Sequence, residues 1–198
     1  MPKESSTTWQ RIARRIRVPV GFLFTALYLW LARPTWKSIL LGSIAVIAGI
    51  LVRASASGHL NKNESLATSG PYAYSRNPLY LGSLILALGF AVAALSWCVA
   101  VLLAVIFAAI YMPVIQAEET FLRTTFPQFA AYSREVPRLI PRLTPFHRSD
   151  SGFSWELFLK HREYNAVLGS ATLIAALIAK LFWNLHHSGP AMNFIFWH

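Results

Sequence analysis

The apolar positions of this chain fall into long unbroken runs, not the alternation of half-buried strands or the single stripe of a surface helix. Residues 18–32, 39–52, 79–95, 99–115 and 166–183 carry no charged side chain except Lys180. About 20 apolar residues are needed for a helix to cross ~30 Å of hydrocarbon. Where the runs fall short, Trp30, Trp36, Trp97, Tyr111 and Trp183 complete the spans as interfacial anchors. The pattern predicts an all-α, polytopic membrane protein with about five transmembrane helices. Basic residues precede the first run as they do in a signal peptide. It lacks a small-x-small cleavage site, however, and Arg33-Pro34 follows at once, so it reads as an uncleaved helix.

Four regions follow: a basic arm (1–17), a transmembrane hairpin through Arg33-Pro34-Thr35 (18–57), a core with a second hairpin around Ser96-Trp97 (58–148), and a C-terminal amphipathic segment, helix and tail (149–198). No polar stretch is large enough for a separate soluble domain, so any chemistry uses the loops at one end of the helices. Composition agrees: 55% of residues are hydrophobic and 13% charged, against about 25% charged in soluble domains.

A net charge of +10 raises the question of nucleic acid. The distribution answers it. With five helices and the N-terminus inside, every Lys and Arg except Arg33, Lys37 and the embedded Lys180 lies on the inner side. That is the positive-inside rule, so the basic excess reports a multi-pass protein with a cytoplasmic N-terminus and contact with anionic lipid rather than nucleic acid.

Small residues recur at helical spacing, as Gly42, Ala45 and Gly49, then Gly82 and Gly89, and serve close packing of membrane helices. The lone Cys98 reads as a small buried side chain. His186, His187 and His198 show no metal spacing.

Two polar clusters remain. The first is GPYAYSRNPLYLG, residues 70–82. Pro78 suits the first turn of a helix and Asn77 its N-cap, with the side chain accepting from a first-turn N–H. Tyr72, Tyr74, Arg76 and Tyr80 are left over; aromatic walls beside a helix N-terminus suit a flat ring and an anion. The second cluster is Gln116-Ala117-Glu118-Glu119-Thr120-Phe121-Leu122-Arg123. Adjacent helical residues point about 100° apart, so the two glutamates address different places. Glu119 is placed to pair with Arg123 at i+4. Glu118 has no such partner and wants a cation, from an arginine or a ligand. The later Val136-Pro137-Arg138-Leu139-Ile140-Pro141 reads by itself as a surface segment ending in a proline-bounded stop.

In order, L-x-T-S-G-P-Y, R-N-P-x-Y-x-G, a transmembrane hairpin, E-E-x-x-L, F-x-x-Y and V-P-R-L-I-P resemble the isoprenylcysteine carboxyl methyltransferase and phospholipid methyltransferase superfamily over about residues 60–141. The resemblance implies S-adenosylmethionine bound at the cytoplasmic face. By matched position its contacts are Glu64, Ser65, Leu66, Ala67, Tyr72, Asn77, Pro78, Leu79, Tyr80 and Glu118, joined by Gly82 one turn into the membrane. Glu118 and the tyrosine faces would meet the cofactor's cations.

The chain departs from the family in three ways. Asn77 stands where the family often has histidine, the chain runs on well past Pro141, and Val114 stands where the prenylcysteine enzymes place a substrate arginine. The implied acceptor is lipid-like or prenylated and enters from the bilayer. A carboxylate is already ionised and needs a cation, which Arg76 or Arg123 would supply; an amine needs a base, for which Glu119 is the nearest candidate. N-methylation of a phospholipid amine, S-methylation of a thiol and a non-catalytic scaffold stay open, and no dinucleotide glycine fingerprint supports a reductase.

Overall fold

The computed structural model of the protein describes residues 22–61, 65–146 and 152–187, so the basic arm and Glu64 lie outside the described residues. The described residues are helical, with no strand. In chain order they form α1 (Phe22–Leu31), α2 (Trp36–Ser57), a 3-10 turn (Gly70–Ala73), α3 (Pro78–Ala94), α4 (Trp97–Thr125), α5 (Phe129–Glu135), α6 (Trp155–Lys160) and α7 (Tyr164–His187). Among them α2, α4 and α7 are long and apolar enough to cross a membrane, while α1 and α3 are shorter apolar helices.

Helix α2 begins at a capping box. The Thr35 hydroxyl accepts from the Ser38 N–H at 3.1 Å, and the Ser38 hydroxyl accepts from the Thr35 N–H at 2.9 Å. Helices α2 and α3 run antiparallel at glycine contacts. A Cβ on Gly42 would sit 2.5 Å from the Gly89 carbonyl oxygen, and one on Gly49 would sit 2.8 Å from that of Gly82. Only glycine permits that approach, so the small-residue stripes work as the sequence predicts. Between α3 and α4, Leu95 adopts φ 46° and Ser96 takes the N-cap position of α4 without a side-chain cap bond, which makes the expected tight hairpin.

Helix α4 has 29 residues, about 43 Å at 1.5 Å each. It therefore exceeds the hydrocarbon thickness by about two and a half turns, and the overhang carries Glu118 and Glu119. Cys98, expected to be buried, is exposed on the first turn of α4; this helix shows most of its apolar surface outward and packs on few neighbours.

The C-terminal helix completes the bundle. Leu177 and Leu181 of α7 pack with Tyr28, Ala32, Ile39, Ala93 and Val99. The Lys180 ammonium donates to the backbone oxygens of Leu29, Trp30 (3.2 Å) and Ala32 (2.7 Å). A cation within an apolar run thus satisfies the carbonyls that α1 leaves unpaired at its C-terminus.

Candidate active site

At the opposite end of the bundle, two segments far apart in sequence are laced together. The Arg76 N–H donates to the Pro137 oxygen, that of Arg142 to the Tyr74 oxygen and that of Phe146 to the Ala73 oxygen, each at 2.9 Å. The Ser75 hydroxyl reaches the Leu139 oxygen at 3.1 Å, and the Tyr132 hydroxyl donates to the Tyr72 oxygen at 2.7 Å. The 136–141 segment, expected at the surface, is therefore a brace for the 70–77 loop. Its prolines make it extended, which frees backbone groups to pair across.

Glu119 ties this brace to α4. Its carboxylate accepts from Arg138 Nη2 at 2.7 Å and Nε at 3.2 Å, from Asn77 Nδ2 at 3.4 Å, and lies 3.3 Å from Arg76 Nη1. The side chain is only 9% exposed. Two sequence expectations fail here. Glu119 does not pair with Arg123, because a buried site with several donors outweighs an exposed i,i+4 pair worth tenths of a kcal/mol. Arg123 instead stands over the Phe129 ring, 6.0 Å from its centroid. Asn77 occupies the N-cap position of α3, but its side chain does not cap; its amide donates to Glu119 and to the Arg138 oxygen.

Glu118 points a different way, as the helical rotation requires, and accepts from the Tyr80 hydroxyl at 2.8 Å. Tyr80 stands edge-on to Tyr111. This pair borders a cavity of about 460 Å³, within the ~300–1,000 Å³ of small-molecule sites. Of the expected cofactor contacts, Ser65, Leu66, Ala67, Tyr72, Asn77, Leu79, Tyr80 and Glu118 line it, as does Arg76. Pro78 is fully buried and does not line it, and Gly82 faces α2 rather than the cavity, where a Cβ would meet Arg53 Cγ at 2.6 Å. Val114 also lines the cavity, among the apolar Leu60, Phe121, Leu122 and Phe126.

Sequence reasoning missed Arg53, Arg138 and Tyr132. Arg53 lines the cavity from α2, but a cation at the end of an apolar run reads as topology. Arg138 and Tyr132 act through contacts across the fold; the V-P-R-L-I-P and F-x-x-Y motifs that contain them marked the resemblance but not these contacts.

The electrostatics match the geometry. Burial, then the Glu118 charge, pushes the Tyr72 phenol above its ordinary range, and burial does the same to Tyr132 against a smaller pull from Arg76. Both stay neutral donors. The Glu119 hydrogen bond raises Arg138 further. Arg76, 13% exposed, keeps a buried Nε with no partner among the described residues. That orphaned donor suits a carboxylate, while Glu118 and the tyrosine faces suit cationic groups. Residues and volume together fit S-adenosylmethionine, which carries a carboxylate, an ammonium, a sulfonium and a flat base.

Fold and site define a helical membrane protein with a charged, aromatic ligand cavity at one end of its bundle. The chain belongs to the phospholipid methyltransferase family, whose match spans residues 20–128 and includes both polar clusters; that family falls within the isoprenylcysteine carboxyl methyltransferase-type superfamily of membrane methyltransferases. The cobalt-zinc-cadmium resistance protein CzcN of Cupriavidus metallidurans is 33% identical over 182 residues, 87% of this chain and 82% of that protein. The nickel-cobalt-cadmium resistance protein NccN of Alcaligenes xylosoxydans xylosoxydans is 38% identical over 92 residues, 46% of this chain and 43% of that protein. No solved structure matches the chain.

Proposed function

We propose that the protein is an integral-membrane methyltransferase that uses S-adenosylmethionine to methylate the carboxylate of a lipid-like, isoprenylcysteine-type acceptor, in a five-pass topology with a cytoplasmic N-terminus. One observation carries the reading. A carboxylate held by a tyrosine, Glu118 with Tyr80 at 2.8 Å, shares a cavity with an arginine whose buried Nε has no partner among the described residues. When bound, S-adenosylmethionine supplies a methyl group on a sulfonium, which an acceptor oxygen takes as the neutral thioether departs.

The chain's own residues orient and exclude water. Glu118 and Tyr80 hold positive charge, Arg76 holds a carboxylate, and Leu66, Leu79, Phe121 and Leu122 keep the cavity apolar. An anionic acceptor is favoured over an amine by the acid–base inventory. Glu119 is saturated by Arg138, Arg76 and Asn77. Among the described residues the lining includes no histidine or lysine that would take a proton from an ammonium. The family's own description keeps phospholipid N-methylation as the second reading.

The test incubates purified protein with methyl-labelled cofactor and native lipid extract, then applies mild base. Release of labelled methanol, lost in Glu118→Ala, supports the carboxyl ester; a base-stable label overturns it in favour of the amine or a thiol. No label transfer and no cofactor affinity would leave a scaffold. The relatives' names add a cellular readout: tolerance of cobalt, zinc and cadmium in strains carrying the wild-type chain or Glu118→Ala.

A further inference from the structure

Glu163 lies beyond the family match at 20–128, on the turn between α6 and α7. It nevertheless reaches the cavity wall. Its Oε2 accepts from Arg53 Nε at 3.0 Å and its Oε1 from Arg53 Nη2 at 2.8 Å, a two-point grip with Glu163 10% exposed. The preceding residue, Arg162, holds φ 55°, a left-handed conformation that costs a non-glycine residue and persists where surroundings enforce it. Arg53 Nη1 donates to the Ser83 hydroxyl at 2.5 Å and the Leu79 oxygen at 3.4 Å. A guanidinium has five N–H groups; among the described residues these contacts occupy four and leave one, on Nη2, for a ligand in the cavity that Arg53 lines.

We propose that Glu163 is a positioning residue, which fixes Arg53 as the side chain that recognises the acceptor's anion, so that the turn between α6 and α7 is a working part of the site. This rests on the carboxylate-acceptor reading above. A guanidinium on a free stem would sample many directions, whereas one gripped along an edge presents its remaining N–H in a fixed direction. Because Glu163 offsets the Arg53 charge, recognition depends on that directed N–H rather than on net charge. A methyl ester's carbonyl accepts that N–H more weakly than a carboxylate does, because the charge-assisted bond is about twice as strong, so the same edge favours acceptor over product. The pair also stands in for the arginine that Val114 replaces.

The test uses the full-length protein in nanodiscs and two probes, N-acetyl-S-farnesylcysteine and its methyl ester, with and without S-adenosylhomocysteine. Wild type is expected to bind the acid about tenfold tighter than the ester. Glu163→Gln and Arg53→Gln bring the ratio within about twofold of unity, and Glu163→Asp keeps part of it. S-adenosylhomocysteine affinity stays within about twofold in Glu163→Gln and Glu163→Asp, which also reports that both are folded; because Arg53 lines the cavity, the folding of Arg53→Gln is read from its unfolding temperature instead. An unchanged acid-to-ester ratio in Glu163→Gln, or a wild type that prefers neither probe, overturns the inference. Failure of wild type to bind S-adenosylhomocysteine would instead overturn the cofactor reading, and the ratio measured without it remains legible.

Discussion

Glu119 and Arg138 are joined at two points, with Arg138 Nη2 donating to Oε2 at 2.7 Å and Nε to Oε1 at 3.2 Å. The pair fastens the brace to α4, and Arg76 shares the same carboxylate. Removing the acid strands two cations, one of them buried. Glu119→Gln is therefore expected to destabilise the protein by about 3 kcal/mol, read as a lower unfolding temperature in detergent. Arg138→Met costs less, since Arg76 still faces Glu119. Glu119→Asp keeps the shape of the pH–rate profile, because this carboxylate is structural; a shifted acidic limb would return it to the role of base.

On the proposed function, Glu118 serves the ligand rather than the fold. Its protein partner is the Tyr80 hydroxyl, so Glu118→Gln leaves thermal stability close to wild type. It is expected to weaken S-adenosylmethionine about tenfold or more, at roughly 1.4 kcal/mol per decade. S-adenosylhomocysteine lacks the sulfonium charge and should lose less. Calorimetry with both ligands decides this, and equal losses would place Glu118 away from the sulfonium. Tyr80→Phe removes only the hydrogen bond that orients the carboxylate and should cost a few-fold.

The helices and the two clusters were legible because they rest on local rules. An apolar run needs a membrane, and consecutive helical residues separate by 100°, so Glu118 and Glu119 had to diverge. Glycines at i, i+7 marked the α2–α3 contact at Gly42 and Gly49. The partners were not legible. Glu119 meets Arg138, Arg53 meets Glu163 and Tyr132 meets the Tyr72 oxygen across 19, 110 and 60 positions of chain, and nothing local records which residues a returning segment will meet. Asn77 shows the same limit: its position is that of a cap, but a buried carboxylate offered its amide more than the helix start did.

Tyr72 and Tyr132 make the fold sensitive to alkali. Burial raises both phenols above their ordinary 10.0, so above that pH the unfolded chain releases protons that the folded one keeps. The contribution is full below about pH 10 and is lost as pH rises beyond it. Unfolding midpoints should be level in this respect from pH 7 to 9 and fall above 10. Tyr132→Phe should flatten that fall while costing about 1 kcal/mol at neutral pH through the lost bond to the Tyr72 oxygen. An unchanged alkaline slope in the variant would move the effect to other groups.

Lys180 offers a last test, because its role separates stability from chemistry. The ammonium reaches the oxygens of Leu29, Trp30 and Ala32 at the C-terminus of α1, at the end of the bundle away from the cavity. In an apolar setting those carbonyls have no water to turn to, and an unpaired buried acceptor costs ~1–3 kcal/mol. Lys180→Met preserves length and apolar contact but removes the donors, so it should lower the unfolding temperature while leaving cofactor affinity unchanged. Lys180→Arg keeps donors in reach and should recover part of the loss. If the methionine variant unfolds like wild type, the α1 carbonyls find other partners and the α1–α7 contact rests on Leu177 and Leu181 packing alone.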